Sequence, residues 1–325
     1  MQISPETQLF IREHQTDDVR ALALQARKYP NVDMPTAITQ IAGRQVAAEK
    51  IPSWRDTDDI WYPKHLSLEQ CSSEVTARYK ATLLKGNSLT DLTGGFGIDC
   101  AFLAAKFKSA IYVERQQELC EIAAHNFPIL NLNHINVKNE DGVSYLQAMS
   151  PVDCIFLDPA RRNEHGGKTV AISDCEPDVA ELEELLLNKA GQVMVKLSPM
   201  LDLSLALKEL QHVQEVHIIS ANNECKELLL ILGQASVEEI SIHCVNLPTK
   251  GIQEEQHFVF TREQEQCSEC NYTDTLENYL YEPNASLLKA GAFRSIASAF
   301  PVKKLHPNSH LYTSDVLVES FPGRA

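Results

Sequence analysis

The stretch "DLTGGFGIDC" at residues 91–100 sets Asp91 and three glycines between a short apolar run and a helical pattern. Glycines there let the backbone approach a ligand closely, and the helix start offers N–H groups that have no partner within the helix. Gly95 and Gly97 have the spacing of a nucleotide-binding turn, with Thr93 where a first glycine often stands. A tight strand-to-helix turn with no ligand is the better explanation of such glycines taken alone, so the argument rests on the carboxylates that follow. Glu114 closes the next apolar run, "AIYVER", about twenty residues on, where an acid can accept hydrogen bonds from both ribose hydroxyls. Asp141, in "KNEDGVSYL", follows the third run and can either accept from an adenine amino group or cap the next helix.

The fourth run ends in "DCIFLDPARRN", which places Asp158 and Pro159 at the carboxyl end of a strand, the edge where open α/β sheets bind ligands. An amino nitrogen on a nucleobase is a poor nucleophile because its lone pair is delocalised into the ring. A carboxylate that accepts its N–H bonds, on a turn fixed by proline, makes it a better one. Arg161 and Arg162 follow, and either recognise an RNA phosphate or pair with acids such as Asp174 and Asp178. Beyond them "NEHGGKTVAIS", with Gly166 and Gly167, is expected to form a mobile loop beside the site.

These residues require a particular scaffold. The runs "SLTDLT", "SAIYVER", "INVKN", "DCIFLD" and "QVMVKLS" alternate with helical patterns, the signature of a parallel sheet with crossover helices. The last two runs, "EVHIIS" and "ELLLIL", are separated only by "ANNECK", too short to cross a sheet, so they are expected to pair antiparallel. Residues 1–80 are expected to be mainly helical, with a helical pattern that stops at Pro30 and a second one in "MPTAITQIAGRQVAAEKIP". Residues 81–233 carry the sheet. Residues 234–325 are expected to form a small α+β module, with a helix capped at Asn284.

Two ligands fit such a turn, a nicotinamide dinucleotide and S-adenosylmethionine. A dinucleotide dehydrogenase calls for a third glycine where Cys100 stands and for a sixth parallel strand in place of the hairpin. The motifs "DLTGGFGID", "VER", "NEDG" and "LDPARR" occur in the order of class I S-adenosylmethionine-dependent methyltransferases. With "GGKTVAISDCEPD", "VKLSPMLD", "YEPNASLLKAGAF", "KLHPNSHLYTSD" and "FPGR", the chain resembles the bacterial THUMP-like methyltransferases over most of its length.

The resemblance implies a Rossmann-like seven-stranded sheet with its last strand antiparallel, then a ferredoxin-like module. It also implies a THUMP-like RNA-binding domain, expected to start about where this sequence stops at "FPGRA". It places Asp91, Thr93, Gly95 and Gly97 at the methionine end of the cofactor, Glu114 on the ribose, and Asp141 with Gly142 at the adenine. It puts Asp158 and Pro159 at the reaction centre, and Gln70, Ser72 and Ser73 of "EQCSSE" on the approach to the methionine portion. Methyltransferases acting on base amino groups commonly continue Asp-Pro with a second proline and an aromatic. Here Ala160 and Arg161 follow, and an arginine can stack on a base or hold a phosphate.

The expected function is methylation of an RNA nucleobase nitrogen. The alternatives are a methyltransferase acting on a protein or small molecule, and an S-adenosylmethionine-binding RNA-interaction protein without transfer activity. A carbon-5 pyrimidine enzyme would need a cysteine beside Asp158 or at the end of "VKLSP", and neither place has one. Of 325 residues 44% are hydrophobic and 22% charged, as in an ordinary globular protein, and no run approaches the length of a membrane span. A cytoplasmic enzyme with no obligate protein partner is expected. The net charge of −15 leaves little general attraction for nucleic acid, so RNA would be held by local groups. Nine scattered cysteines fit reduced thiols. Cys267 and Cys270 form one C-x-x-C that His243 with Cys244 could in principle complete to four zinc ligands, but a structural zinc site normally shows two such pairs with recognisable spacing, so no metal is expected. His125, His134 and His217 are read as ordinary helix, loop and strand residues.

Overall fold

The amino-terminal helices start where short polar side chains cap them. Ser4 accepts from the N–H of Thr7 and Pro5 opens helix Pro5–Glu13, Asp18 caps Val19–Leu24, and Asp33 caps Met34–Lys50. The cap at Asp18 divides what the apolar spacing shows as one helical stretch up to Pro30. Phe10, Leu22, Met34, Ala37 and Ile41 bury their faces together. Two short helices, Pro52–Arg55 and His65–Gln70, lead to Glu74–Leu83.

The computed structural model describes residues 3–161, 171–248 and 254–325. They divide after Ile155 into two compact units. The first holds the helices above and three parallel strands, β1 (Ser88–Asp91), β2 (Ser109–Glu114) and β3 (Ile135–Asn139). Helices Ile98–Ala104 and Gln117–Ile129 make the crossovers. The division falls inside β4 (Val152–Leu157).

The second unit carries β5 (Ala190–Leu197), β6 (Val213–Ala221), β7 (Glu224–Gly233), β8 (Ser241–Leu247) and β9 (Gln256–Thr261). Asn222 and Asn223 both take positive φ, +50 and +60, the backbone a two-residue hairpin needs, and β6 and β7 pair antiparallel as their short connection requires. The hydrogen-bonded order is β9-β8-β6-β7-β5-β4-β1-β2-β3. Seven of these strands are the expected ones, with β7 antiparallel to both neighbours, in the arrangement of the class I methyltransferase fold.

Strands β8 and β9 fall in the stretch expected to form the appended module, yet they continue the main sheet, β8 parallel to β6 and β9 antiparallel to β8. The separate antiparallel sheet is built from Tyr279–Pro283, Lys303–Lys304, Tyr312–Ser314 and Gly323–Arg324. Asn284 caps the helix that follows Tyr279–Pro283, and Gly291 divides it from Phe293–Ala299. Among the described residues no helix is long and apolar enough to cross a membrane.

Candidate active site

In the first unit the carboxyl ends of β1, β2 and β3 shape a glycine turn with carboxylates around it. Asp91 is 1% exposed, and its Oδ1 accepts from the N–H of Thr93 at 2.9 Å, which bends the chain out of β1. Gly95 and Gly97 take φ +55 and +89, a region that L side chains rarely enter. A methyl group on Gly95 would meet nothing closer than the Thr93 carbonyl at 3.8 Å, so the turn faces open space there. Tyr112 of β2 donates its hydroxyl to the Gly95 carbonyl from a fully buried position, and burial raises its pKa well above that of an ordinary phenol.

Glu114 is buried at the end of β2. Its Oε2 accepts from the N–H of Gly95 at 2.9 Å and its Oε1 from the N–H of Gln116 at 2.8 Å. A carboxylate has about four acceptor positions, so the two backbone bonds fix its plane and leave one on each oxygen for a vicinal diol. Burial raises the Cys100 pKa, with the Asp91 charge adding to it, so that thiol stays protonated. The chemistry of this donor and acceptor set fits S-adenosylmethionine. Buried carboxylates beside the turn favour a ligand carrying an ammonium and a sulfonium, whereas a dinucleotide would bring a diphosphate against them.

Asp141 is exposed and caps helix Gly142–Ala148, accepting from Ser144 N at 2.9 Å. The helix-cap reading is therefore realised, and Oδ2 remains for a further donor. A Cβ on Gly142 would lie 2.3 Å from the Leu92 carbonyl oxygen, so close backbone packing already accounts for this glycine. Gln70 is exposed at the end of its short helix, and Ser73 caps Glu74–Leu83. Ser72 is buried. Its Oγ donates to Asp99 at 2.7 Å and accepts from Lys80 Nζ at 2.7 Å, while Lys80 pairs with Asp99 at 2.8 Å. Sequence spacing shows no such triad, because its members come from two helices and the turn that precedes the first of them.

In the second unit Asp158 follows β4 with its side chain 36% exposed, and Lys196 of β5 pairs with it, Nζ to Oδ2 2.6 Å. Lys196 was not among the expected site residues. Its signal is a lysine inside the apolar run "QVMVKLS", a position that is costly unless the charge is paired. Pro159 is buried, and the backbone of Arg161 pairs with Cys175 in a two-stranded ladder. Arg162, Gly166 and Gly167 lie outside the described residues. Neither Cys154 nor Cys225 suits the role of a nucleophile, since burial pushes both thiols up to about 11.

Comparison with known proteins adds a family. Residues 49–163 match the model of the protein-L-isoaspartate (D-aspartate) O-methyltransferases, and residues 279–322 match that of a ferredoxin-like domain. A candidate methyltransferase from Porphyromonas gingivalis W83 is 37% identical, with a TM-score of 0.85 over 98% of this chain and 80% of its own. An rRNA methylase from Streptococcus thermophilus is 15% identical, with a TM-score of 0.36 over 50% of this chain and 95% of its own. No curated protein matches the chain.

Proposed function

Since the chain belongs to the methyltransferase family of its Porphyromonas gingivalis relative, we propose that it methylates a nucleobase nitrogen in RNA. S-adenosylmethionine is the cofactor of this class I fold, and it supplies a methyl group on a sulfonium already activated for in-line transfer. In the proposed assignment Asp91, Thr93, Gly95 and Gly97 form the turn at its methionine end. Glu114 accepts the ribose hydroxyls and Asp141, beside Gly142, accepts the adenine amino group. Gln70 lies on the approach, while Ser72 and Ser73 hold its shape through the Lys80 and Asp99 triad and the helix cap.

The observation that carries the reading is the Asp158 carboxylate, half-buried at a strand's carboxyl end and held by Lys196. Asp158 directly follows β4, at the carboxyl end of a strand, the edge where open α/β sheets bind ligands. An ionised acceptor suits a substrate that presents N–H bonds, and Pro159 fixes the turn that aims it. Arg161 and Arg162 are assigned to an RNA phosphate, which supplies local attraction on a chain of net charge −15. A base stacked in a duplex has to be turned out to reach Asp158.

The isoaspartyl O-methyltransferase match favours a second reading, transfer to a protein carboxylate. Asp158 argues against it, because an anionic acceptor would meet a like charge there. The test is transfer of labelled methyl from S-adenosylmethionine into total RNA and total protein from cells with and without the gene. Label entering only the RNA of deleted cells is the expected result. Label confined to protein would overturn the RNA assignment.

A further inference from the structure

Outside this site, the sheet extension brings together side chains that sequence spacing keeps far apart. Glu215 and His217 stand two residues apart on β6, so both project from the same face of the strand. In the parallel pairing of β6 with β8, Ser241 lies opposite Glu215 and His243 opposite His217. His257 enters from β9, opposite Val245. The imidazoles form a row, with ring centroids 4.4 Å apart between His217 and His243 and 5.4 Å between His243 and His257.

One donor atom from each of Glu215, His217 and His243 falls within 4.8 Å of the others, and Glu215 Oε2 stands 3.1 Å from His217 Nε2. Two ligands of a tetrahedral zinc ion, each at about 2.0–2.2 Å, stand about 3.3–3.6 Å apart, so small side-chain rotations bring the three to bonding distance. We propose that Glu215, His217 and His243 bind a divalent transition-metal ion of the zinc class, bridging β6 and β8.

The donor set is two imidazoles and one carboxylate, which suits zinc and its neighbours better than the all-oxygen shells of magnesium or calcium. A metal-bound imidazole keeps its orientation when its second nitrogen is hydrogen-bonded. His243 has a partner at each nitrogen, Ser241 Oγ 3.1 Å from Nε2 and His257 Nε2 3.2 Å from Nδ1. Whichever nitrogen faces the ion, the other stays held. Metal ligation also needs neutral rings. Burial, with the neighbouring His243 adding to it, lowers His217 to about 4, and burial lowers His243 as well. Three protein ligands leave a coordination position for water.

The test is calorimetric titration of the tag-free, metal-stripped full chain with zinc chloride, alongside Glu215→Gln and His243→Ala. One zinc per chain is expected, bound at least about tenfold more weakly by each variant, with a zinc-dependent rise in melting temperature that the variants lose. The Glu215 side chain is 47% exposed, so Glu215→Gln decides the matter if His243→Ala does not fold. Cobalt(II) in place of zinc distinguishes this site from the nine cysteines, since nitrogen and oxygen ligands give no thiolate charge-transfer band. No stoichiometric binding, unchanged affinity in folded variants, or a thiolate band would each overturn the proposal.

Discussion

Replacing Glu114 by glutamine tests the cofactor assignment most directly, because the structure shows what the carboxylate already holds. Both oxygens accept backbone N–H groups, from Gly95 and from Gln116. A glutamine keeps one acceptor oxygen and turns an NH2 toward the other backbone donor, leaving a buried N–H opposed by a donor. That costs about 1–3 kcal/mol of stability, read as a lower urea midpoint. For the cofactor, one ribose hydroxyl loses its acceptor and the other exchanges a charged acceptor for a neutral one. At roughly 1 kcal/mol for the exchange and about 1–2 for the loss, binding weakens by about 2–3 kcal/mol, or about 30- to 150-fold. Calorimetry with S-adenosylhomocysteine measures it, at a temperature where circular dichroism shows the variant folded. A dissociation constant within about threefold of the parent's, in a folded variant, would refute the ribose assignment.

Four further outcomes are expected. Asp158→Ala lowers methyl transfer by about 10²-fold or more, with S-adenosylhomocysteine affinity held within about threefold, and Lys196→Met lowers transfer in the same direction. Full transfer by either variant removes that residue from the reaction centre. Gly142→Ala, whose new methyl group would meet the Leu92 carbonyl oxygen at 2.3 Å, costs about 1–3 kcal/mol in urea unfolding, and an unchanged midpoint would show that this backbone approach is not tight. For Glu74 burial acts to raise the pKa, but the N–H of Ser53 and the Arg78 guanidinium outweigh it and hold the carboxyl below its ordinary value. A lowered native pKa gives stability present above the unfolded value and lost as pH falls through the native one. The stability gap between the parent and Glu74→Gln therefore closes below about pH 4.5, and a gap constant down to pH 3 would contradict this.

Much of the fold is legible in the chain because it depends on local rules. Apolar runs alternate with helical patterns, and "ANNECK" is too short to be anything but a hairpin. The capping residues Asn284 and Asp141 lie next to the helices they start, so sequence adjacency reveals them. The order of the carboxylates along the strands is likewise local, because each follows its own apolar run. Lys196 is half legible, since a charge within a buried strand demands a partner but does not say which one.

What the chain alone could not settle depends on pairing between distant segments. Alternating apolar residues at 241–247 and 256–261 describe strands equally well in an appended module or at the edge of the main sheet. Only the register of His243 against His217 decides between them. The family resemblance places Ser72 on the approach to the cofactor. What the chain does not show is that its hydroxyl meets Asp99 and Lys80, 27 and 8 residues away. His217 looked like an ordinary strand histidine because its partners in the imidazole row lie on two other strands. The sequence determines which segments become strands and helices, since propensity, capping and turn chemistry act over a few residues. The tertiary structure decides which charged and polar groups meet, since a buried charge has to be paired wherever along the chain its partner happens to lie.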